Sequence, residues 1–161
     1  MTMAVTATIN GRAFRGEVEA NELLVDFLRD QVGLIGVRQS CEVEVCGSCT
    51  VLVDGLPVSS CCYLACDVDL KEVDTIEGLV GTPFHEAISD AFVRRGAVQC
   101  GFCTPAMVLT AKTLLDDDRP ADEASIRRAM RGNLCRCTGY RAILDALADV
   151  LSVDHATGSD G

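Results

Sequence analysis

Cys41-Glu42-Val43-Glu44-Val45-Cys46-Gly47-Ser48-Cys49, with Cys61 beyond it, is the stretch that dictates how the first half of this chain must fold. The spacing is C-x4-C-x2-C, followed by a fourth cysteine after eleven intervening residues. This is the plant-type spacing for a [2Fe–2S] cluster. Three thiolates on one irregular loop can wrap one side of a cluster, and a fourth from a neighbouring segment closes the cage. Backbone N–H groups must then point inward at the negatively charged sulfurs. Gly47 suits that requirement because it lets the backbone approach closely. Zinc is the competing reading for four thiolates, but its usual spacing pairs one C-x2–4-C with a second.

The flanking sequence reads as strands. Ala4 to Ile9 and Ala13 to Val18 alternate apolar and polar residues around Asn10-Gly11, a strong hairpin dipeptide. Leu23, Leu24, Phe27 and Leu28 recur at helical spacing, which predicts a helix over Glu22 to Gln31, broken by Gly33 and Gly36. Thr50 to Val53 is a β-branched run that ends in Asp54-Gly55, a second hairpin turn, with Pro57 to Ser60 returning. Lys71 to Ile76 reads as a last strand. Strands, one helix and more strands predict a compact α+β domain over residues 1–77.

Beyond a linker from Gly78 to Thr82 the pattern turns helical. Phe84, Ile88, Ala91 and Phe92 form one apolar stripe, and Met107, Val108, Ala111, Leu114 and Leu115 a second. Ile126, Ala129 and Met130 follow Asp122, a residue suited to an N-cap, and Ile143, Leu144, Leu147, Val150 and Leu151 complete the set. Four short helices with short loops predict a small helical bundle over residues 78–161, with Ser152 to Gly161 frayed. Asp116-Asp117-Asp118 before Pro120 reads as a solvated helix end.

This half carries its own cysteines. Cys100 and Cys103 form a C-x2-C pair, and after 31 intervening residues Cys135 and Cys137 form a C-x-C pair. Each pair precedes a helix start, Thr104-Pro105 and the stripe beginning near Ile143. Two loops at helix N-termini would then face each other, and the free N–H groups and dipole ends there suit an anionic cluster. The spacing by itself leaves both an iron–sulfur cluster and zinc open.

The composition bounds the rest. The chain has 161 residues, 48% of them hydrophobic, which is enough for a core and excludes intrinsic disorder. Its 14 basic and 24 acidic residues give a net charge of −10, which argues against nucleic-acid binding. No run of 18 apolar residues exists for a membrane span, and the N-terminus lacks the charged and apolar regions of a secretory signal. The expectation is a cytoplasmic protein whose clustered thiols are metal ligands rather than disulfides. No nucleophile–base pair, Gly-rich phosphate loop or dinucleotide fingerprint is present, so no catalytic residue is expected.

Taken together, CEVEVCGSCTVLVDG (41–55), QCGFCTPAM (99–107) and GNLCRCTGY (132–140) resemble the small iron–sulfur subunit of the molybdenum hydroxylases. That family includes xanthine dehydrogenase, aldehyde oxidoreductase and aerobic carbon monoxide dehydrogenase. The match runs from about Thr6 to Leu151. The resemblance implies a β-grasp, plant-ferredoxin-like domain followed by a four-helix bundle, each with a [2Fe–2S] cluster. Cys41, Cys46, Cys49 and Cys61 would hold the first, and Cys100, Cys103, Cys135 and Cys137 the second. It further implies an electron-transfer subunit of a molybdenum-containing oxidoreductase. The bundle cluster would lie nearest molybdopterin in a large partner subunit, and the ferredoxin-like cluster would pass electrons to FAD in a medium subunit. A dimer of heterotrimers is the assembly expected, with substrate chosen in the large subunit. Gln99 matches a family glutamine that hydrogen-bonds the pterin; the alternative is a loop residue capping the cluster-bearing turn. The rival reading is a free-standing ferredoxin-like carrier or redox sensor.

Several residues depart from the family pattern. Ser40 replaces a usual Gly, Glu42-Val43-Glu44-Val45 replaces a loop usually rich in Gly and Asp, and Ala106 replaces Gly after Thr-Pro. Two added carboxylates are expected to lower the potential of the first cluster, and Ala106 to tighten helix packing near the second. Cys62 and Cys66 are left over. They read as small buried hydrophobes, and Cys62 alternatively as a substitute for Cys61. His85 and His155 are far apart in sequence and do not suggest a Rieske-type site. Arg136, between two ligands, faces solvent, offsets thiolate charge or contacts a partner's cofactor.

Overall fold

A computed structural model describes residues 1–116 and 121–157, with side chains to Leu151. Strands β1 (Thr2–Ile9) and β2 (Arg12–Glu19) form the first hairpin, and β3 (Thr50–Val53) and β4 (Leu56–Ser59) the second. Both turns use paired left-handed residues: Asn10 and Gly11 at φ 49° and 73°, Asp54 and Gly55 at 50° and 75°. These conformations match the twist of the flanking strands. With β5 (Glu72–Asp74) the strands form a mixed sheet in the order β2-β1-β5-β3-β4, in which only β1 and β5 run parallel.

The helix expected over Glu22 to Gln31 is shorter and wider than predicted. A single α-turn, α1 (Leu24–Asp26), opens into a π-helix over Phe27–Gln31, where the Val32 N–H donates to the Phe27 carbonyl at 3.1 Å. Leu24, Val25, Phe27 and Leu28 are all fully buried against the sheet. Phe14 meets Phe27 edge-on at 5.1 Å. These residues, with Val5, Val51, Val68 and Val73, form the core of the N-terminal half.

The expected strand Lys71 to Ile76 stops at Asp74, and the expected linker is partly helical: α2 spans Ile76–Leu79. Side-chain competition for the backbone is the reason. The Thr75 N–H donates to Asn10 Oδ1 at 2.8 Å, Asn10 Nδ2 returns a bond to Thr75 Oγ1 at 2.9 Å, and that hydroxyl donates to Glu77 at 2.6 Å.

Helices α3 (Pro83–Arg94), α4 (Thr104–Leu115), α5 (Glu123–Ala129) and α6 (Arg141–Thr157) follow. Thr82 and Asp122 cap α3 and α5, accepting from the His85 and Ser125 N–H groups at 3.2 and 2.7 Å. Helix α6 runs on to Thr157, into the segment expected to fray; residues 158–161 lie outside the described residues. So do Asp117, Asp118 and Pro120 of the charge run and the side chain of His155. Asp116 closes α4 and pairs with Lys112. No described helix is long and apolar enough to cross a membrane.

Helix α4 is buried more completely than its expected stripe: six consecutive residues, Ala106 to Ala111, are inside. A helix apolar on every side is one surrounded on every side. It packs on α2, α3, α5 and α6, and also on β3 and β4. Strand β3 is correspondingly buried on both faces. Val51 and Val53 point into the N-terminal core, and Leu52 points into the helical core with Met107, Ile126 and Leu147.

Candidate iron–sulfur sites

The eight predicted cysteines gather into their two expected sets. In the first, the loop from Cys41 folds around alternating left-handed residues: Glu42 at φ 58°, Glu44 at 56° and Gly47 at 68°. That winding turns N–H groups toward one sulfur. The Val45 and Cys46 amides donate to Cys41 Sγ at 3.4 and 3.3 Å. Backbone N–H groups of Val43, Cys46 and Val45 hold the Cys41 thiol down at about 6. Glu42 and Glu44 thus occupy left-handed positions where glycine would carry no steric cost.

Cys49 and Cys61 lie deeper, and both are buried. Cys61 stands in a 3-10 turn, Ser60–Cys62, tied back by Ser60, whose hydroxyl donates to the Cys49 carbonyl at 2.6 Å. Burial pushes the Cys49 thiol up to about 11, with the facing Cys61 contributing. The set is therefore two pairs: Cys41 with Cys46 toward the surface, Cys49 with Cys61 inside.

The second set also forms two pairs, assembled from segments far apart in sequence. Cys100 Sγ is 3.5 Å from Cys137 Sγ, and both residues are exposed. Cys103 faces Cys135 in the half-buried layer beneath, where burial pushes the Cys103 thiol up to about 12. Burial also pushes Cys135 up. The Thr138 hydroxyl, donating to its sulfur at 3.1 Å, and the Thr138 and Cys137 amides outweigh it, so its thiol is lowered overall. The two loops do lead into helices as expected: Cys103 directly precedes α4, and Cys137 lies four residues before α6. Tyr140, in a left-handed conformation at φ 72°, turns the chain into α6 and accepts from the Cys135 N–H at 2.9 Å.

Among the described residues no three such side chains close on one point as the ligands of a single metal ion would. Two thiolate pairs per set, with inward N–H donors, fit a group that needs two thiolates at each of two irons. A cavity of about 520 Å³ is lined by all four cysteines of the second set, Cys100, Cys103, Cys135 and Cys137, with Ser40, Cys46 and Ser48 of the first loop forming part of its wall.

Other expectations fare differently. Gln99 and Arg136 are exposed beside the outward cysteines Cys100 and Cys137. Ala106 is buried. Cys62 is exposed and Cys66 only half-buried, so neither is the buried hydrophobe predicted. The 3-10 turn that buries Cys61 rotates its neighbour outward, leaving the two sulfurs 3.9 Å apart. Sequence reading missed Asn133, a buried asparagine that joins the two cysteine loops. Its position two residues before Cys135 was visible, but its partners on the first cysteine loop, Gly47 and Thr50, lie more than eighty residues away.

Comparisons with known proteins match both halves of the chain to [2Fe–2S] domains. A family described as "[2Fe-2S] binding domain" matches residues 75–148, and one described as "2Fe-2S iron-sulfur cluster binding domain" matches residues 14–93. The chain is 44% identical over 153 residues to the 6-hydroxypseudooxynicotine dehydrogenase complex subunit beta of Paenarthrobacter nicotinovorans, covering 94% of this chain and 96% of that one. It is 42% identical over 150 residues to the xanthine dehydrogenase iron-sulfur-binding subunit of Escherichia coli O157:H7, covering 92% and 94%. Its fold superposes on a chain of quinoline 2-oxidoreductase from Pseudomonas putida 86 with a TM-score of 0.89, at 42% identity and 99% coverage of both chains. On its two cysteine sets and these relatives, the chain belongs to the small [2Fe–2S] subunits of the molybdenum hydroxylase family.

Proposed function

We propose that this chain is the electron-transfer subunit of a molybdenum-containing oxidoreductase, with Cys41, Cys46, Cys49 and Cys61 holding one cluster and Cys100, Cys103, Cys135 and Cys137 the other. When bound, the two clusters carry single electrons between a molybdopterin centre and FAD, both in partner subunits. The observation that carries this reading is the meeting of Cys100 with Cys137 at an exposed edge, 3.5 Å apart, above a half-buried Cys103–Cys135 pair. That edge is rimmed by Val98, Phe102 and Leu134, all 41–48% exposed. An exposed apolar rim around an open ligand edge suits a subunit contact.

The chain's own residues supply placement and polarity. The rim and Gln99 face the large molybdopterin-binding subunit, and Gln99 meets the pterin. The exposed loop 42–45 faces the medium FAD-binding subunit. Inward amides at Cys41 and the Thr138 hydroxyl at Cys135 favour the thiolate form. The buried Cys49 and the half-buried Cys103, both held up by desolvation, give up their protons on metal binding. Residues 1–77 act as the β-grasp, ferredoxin-like unit and residues 78–161 as a four-helix bundle. The assembly is a dimer of heterotrimers in the cytoplasm. Cys62, exposed beside Cys61, is placed to stand in for it.

The test is native purification of the chain from its own cells, with metal analysis and a visible spectrum. A brown complex with two larger partners, molybdenum, FAD and iron for two clusters per small chain is the expected result. A lone brown chain without molybdenum would instead support the free-standing carrier or sensor. A colourless chain containing zinc would overturn the ligand assignment.

A further inference from the structure

We propose that Asn133 is a positioning residue that holds the two cysteine loops in one fixed register, so that the separation of the two ligand sets is set by a side chain that belongs to neither. The proposal rests on the ligand assignment above. Asn133 is 3% exposed, in the loop just ahead of Cys135. Its Nδ2 donates to the Gly47 carbonyl at 2.9 Å and to Thr50 Oγ1 at 3.3 Å, both on the first cysteine loop and its outgoing strand. Its Oδ1 lies 2.9 Å from the Thr110 hydroxyl of α4, whose single hydrogen it shares with the Ala106 carbonyl, also at 2.9 Å. The orientation of the amide is forced. Gly47 O can only accept, so the NH2 must face it, and the oxygen is left for the hydroxyl. Among side chains of this size, only this amide offers a donor group to one side and an acceptor to the other without taking up a proton.

The backbone around Asn133 is held just as firmly. The Asn133 N–H donates to Met130 O, the Leu134 N–H to Cys46 O at 2.8 Å, and the Cys135 N–H to the Tyr140 hydroxyl. The second of these bonds joins a ligand of the first set to the residue adjoining a ligand of the second. The loops are also in backbone contact: a Cβ added to Gly47 would lie 1.9 Å from Gly132 O. On another side, the Arg38 guanidinium lies 5.9 Å from the centre of the Phe102 ring, linking the approach to Cys41 with the Cys100–Cys103 loop. A buried polar group with all its partners satisfied specifies one arrangement, because any shift leaves a donor or acceptor stranded.

Asn133→Asp tests this. It keeps the size and the acceptor toward Thr110 but, measured at a pH high enough to ionise the buried carboxyl, sets a carboxylate oxygen against Gly47 O. The variant is read in the purified complex by iron content, by the spin–spin splitting between the two reduced clusters, and by hydrogen exchange of residues 130–135. The expected result is full iron, unchanged g-values for each cluster, partial loss of the splitting and faster exchange at the Leu134 amide. Unchanged splitting and exchange with full iron would overturn the proposal. If Asn133→Asp fails to assemble, Thr110→Val removes the bond to Oδ1 together with the hydroxyl's bond to the Ala106 carbonyl within α4. It should then give the same two changes in milder form, and their absence would equally overturn the proposal. Wild-type complex lacking iron for two clusters would instead indict the ligand assignment, so the two failures are distinguishable.

Discussion

The two cysteine sites solve one problem by opposite routes. The first is nearly local: three of its cysteines lie within one nine-residue loop, and the fourth follows on the next hairpin. The second exists only when α4 and α6 bring two remote loops together. The first hides Cys49 and Cys61 and exposes a wound loop; the second leaves Cys100 and Cys137 at the surface. A locally encoded site survives loosening of its surroundings, whereas a tertiary site is only as stable as the packing behind it.

The sharpest way to break this contrast is to remove one site. Cys103→Ser should halve the iron, leave the first cluster's spectrum intact and abolish turnover of the complex. Loss of both clusters, read by metal analysis and low-temperature EPR, would show that the sites do not form independently. Next in size is a core truncation on either side. Leu147→Ala, at a fully buried position in the helical core, should cost about 2–5 kcal/mol. On heating it should bleach the second cluster before the first. Phe27→Ala, in the other core, should cost about 3–5 kcal/mol and reverse the order.

A smaller effect concerns the wound loop alone. Glu42→Gly removes a side chain from a left-handed position and should stabilise the first site by about 0.5–1 kcal/mol after the added freedom of the unfolded chain. By deleting a carboxylate it should also raise the midpoint potential of the first cluster and leave the second unchanged, as redox titration would report. The smallest is a pH effect confined to the helical half. Arg95 holds Asp149 bidentately at 2.7 Å, tying α3 to α6, and keeps the Asp149 carboxyl below its usual range. A depressed carboxylate contributes fully above its unfolded value near pH ~3.9 and loses that contribution as pH falls through its folded value. Acid melts of wild type and Asp149→Asn should therefore converge at low pH and separate slightly above it.

The same contrast explains what could be read in advance. The first loop was legible because its spacing is its chemistry, and both hairpins were legible because Asn10-Gly11 and Asp54-Gly55 are turn signals in themselves. The caps at Thr82 and Asp122 are likewise local, though only Asp122 was anticipated. The end of β5 was not legible, because it is decided by Asn10, sixty-five residues from Thr75. The widened turn at Phe27–Gln31 and the outward face of Cys62 depend on packing that no period of apolar residues encodes. Asn133 was overlooked for the same reason: an asparagine in a loop looks like surface until its partners are known.

Strand β3 carries a last consequence. Because Val51 and Val53 serve one core and Leu52 the other, the strand is a party wall. A protein engineer wishing to lift out residues 1–77 as a portable redox module would uncover Leu52 and the strip where α4 had rested. The excised piece would then tend to stick to itself. Repainting Leu52 with a polar residue would be the first step of such a transplant, and the same change in the intact chain would be a lesion. The two halves are therefore better regarded as neighbours with joint ownership than as cassettes.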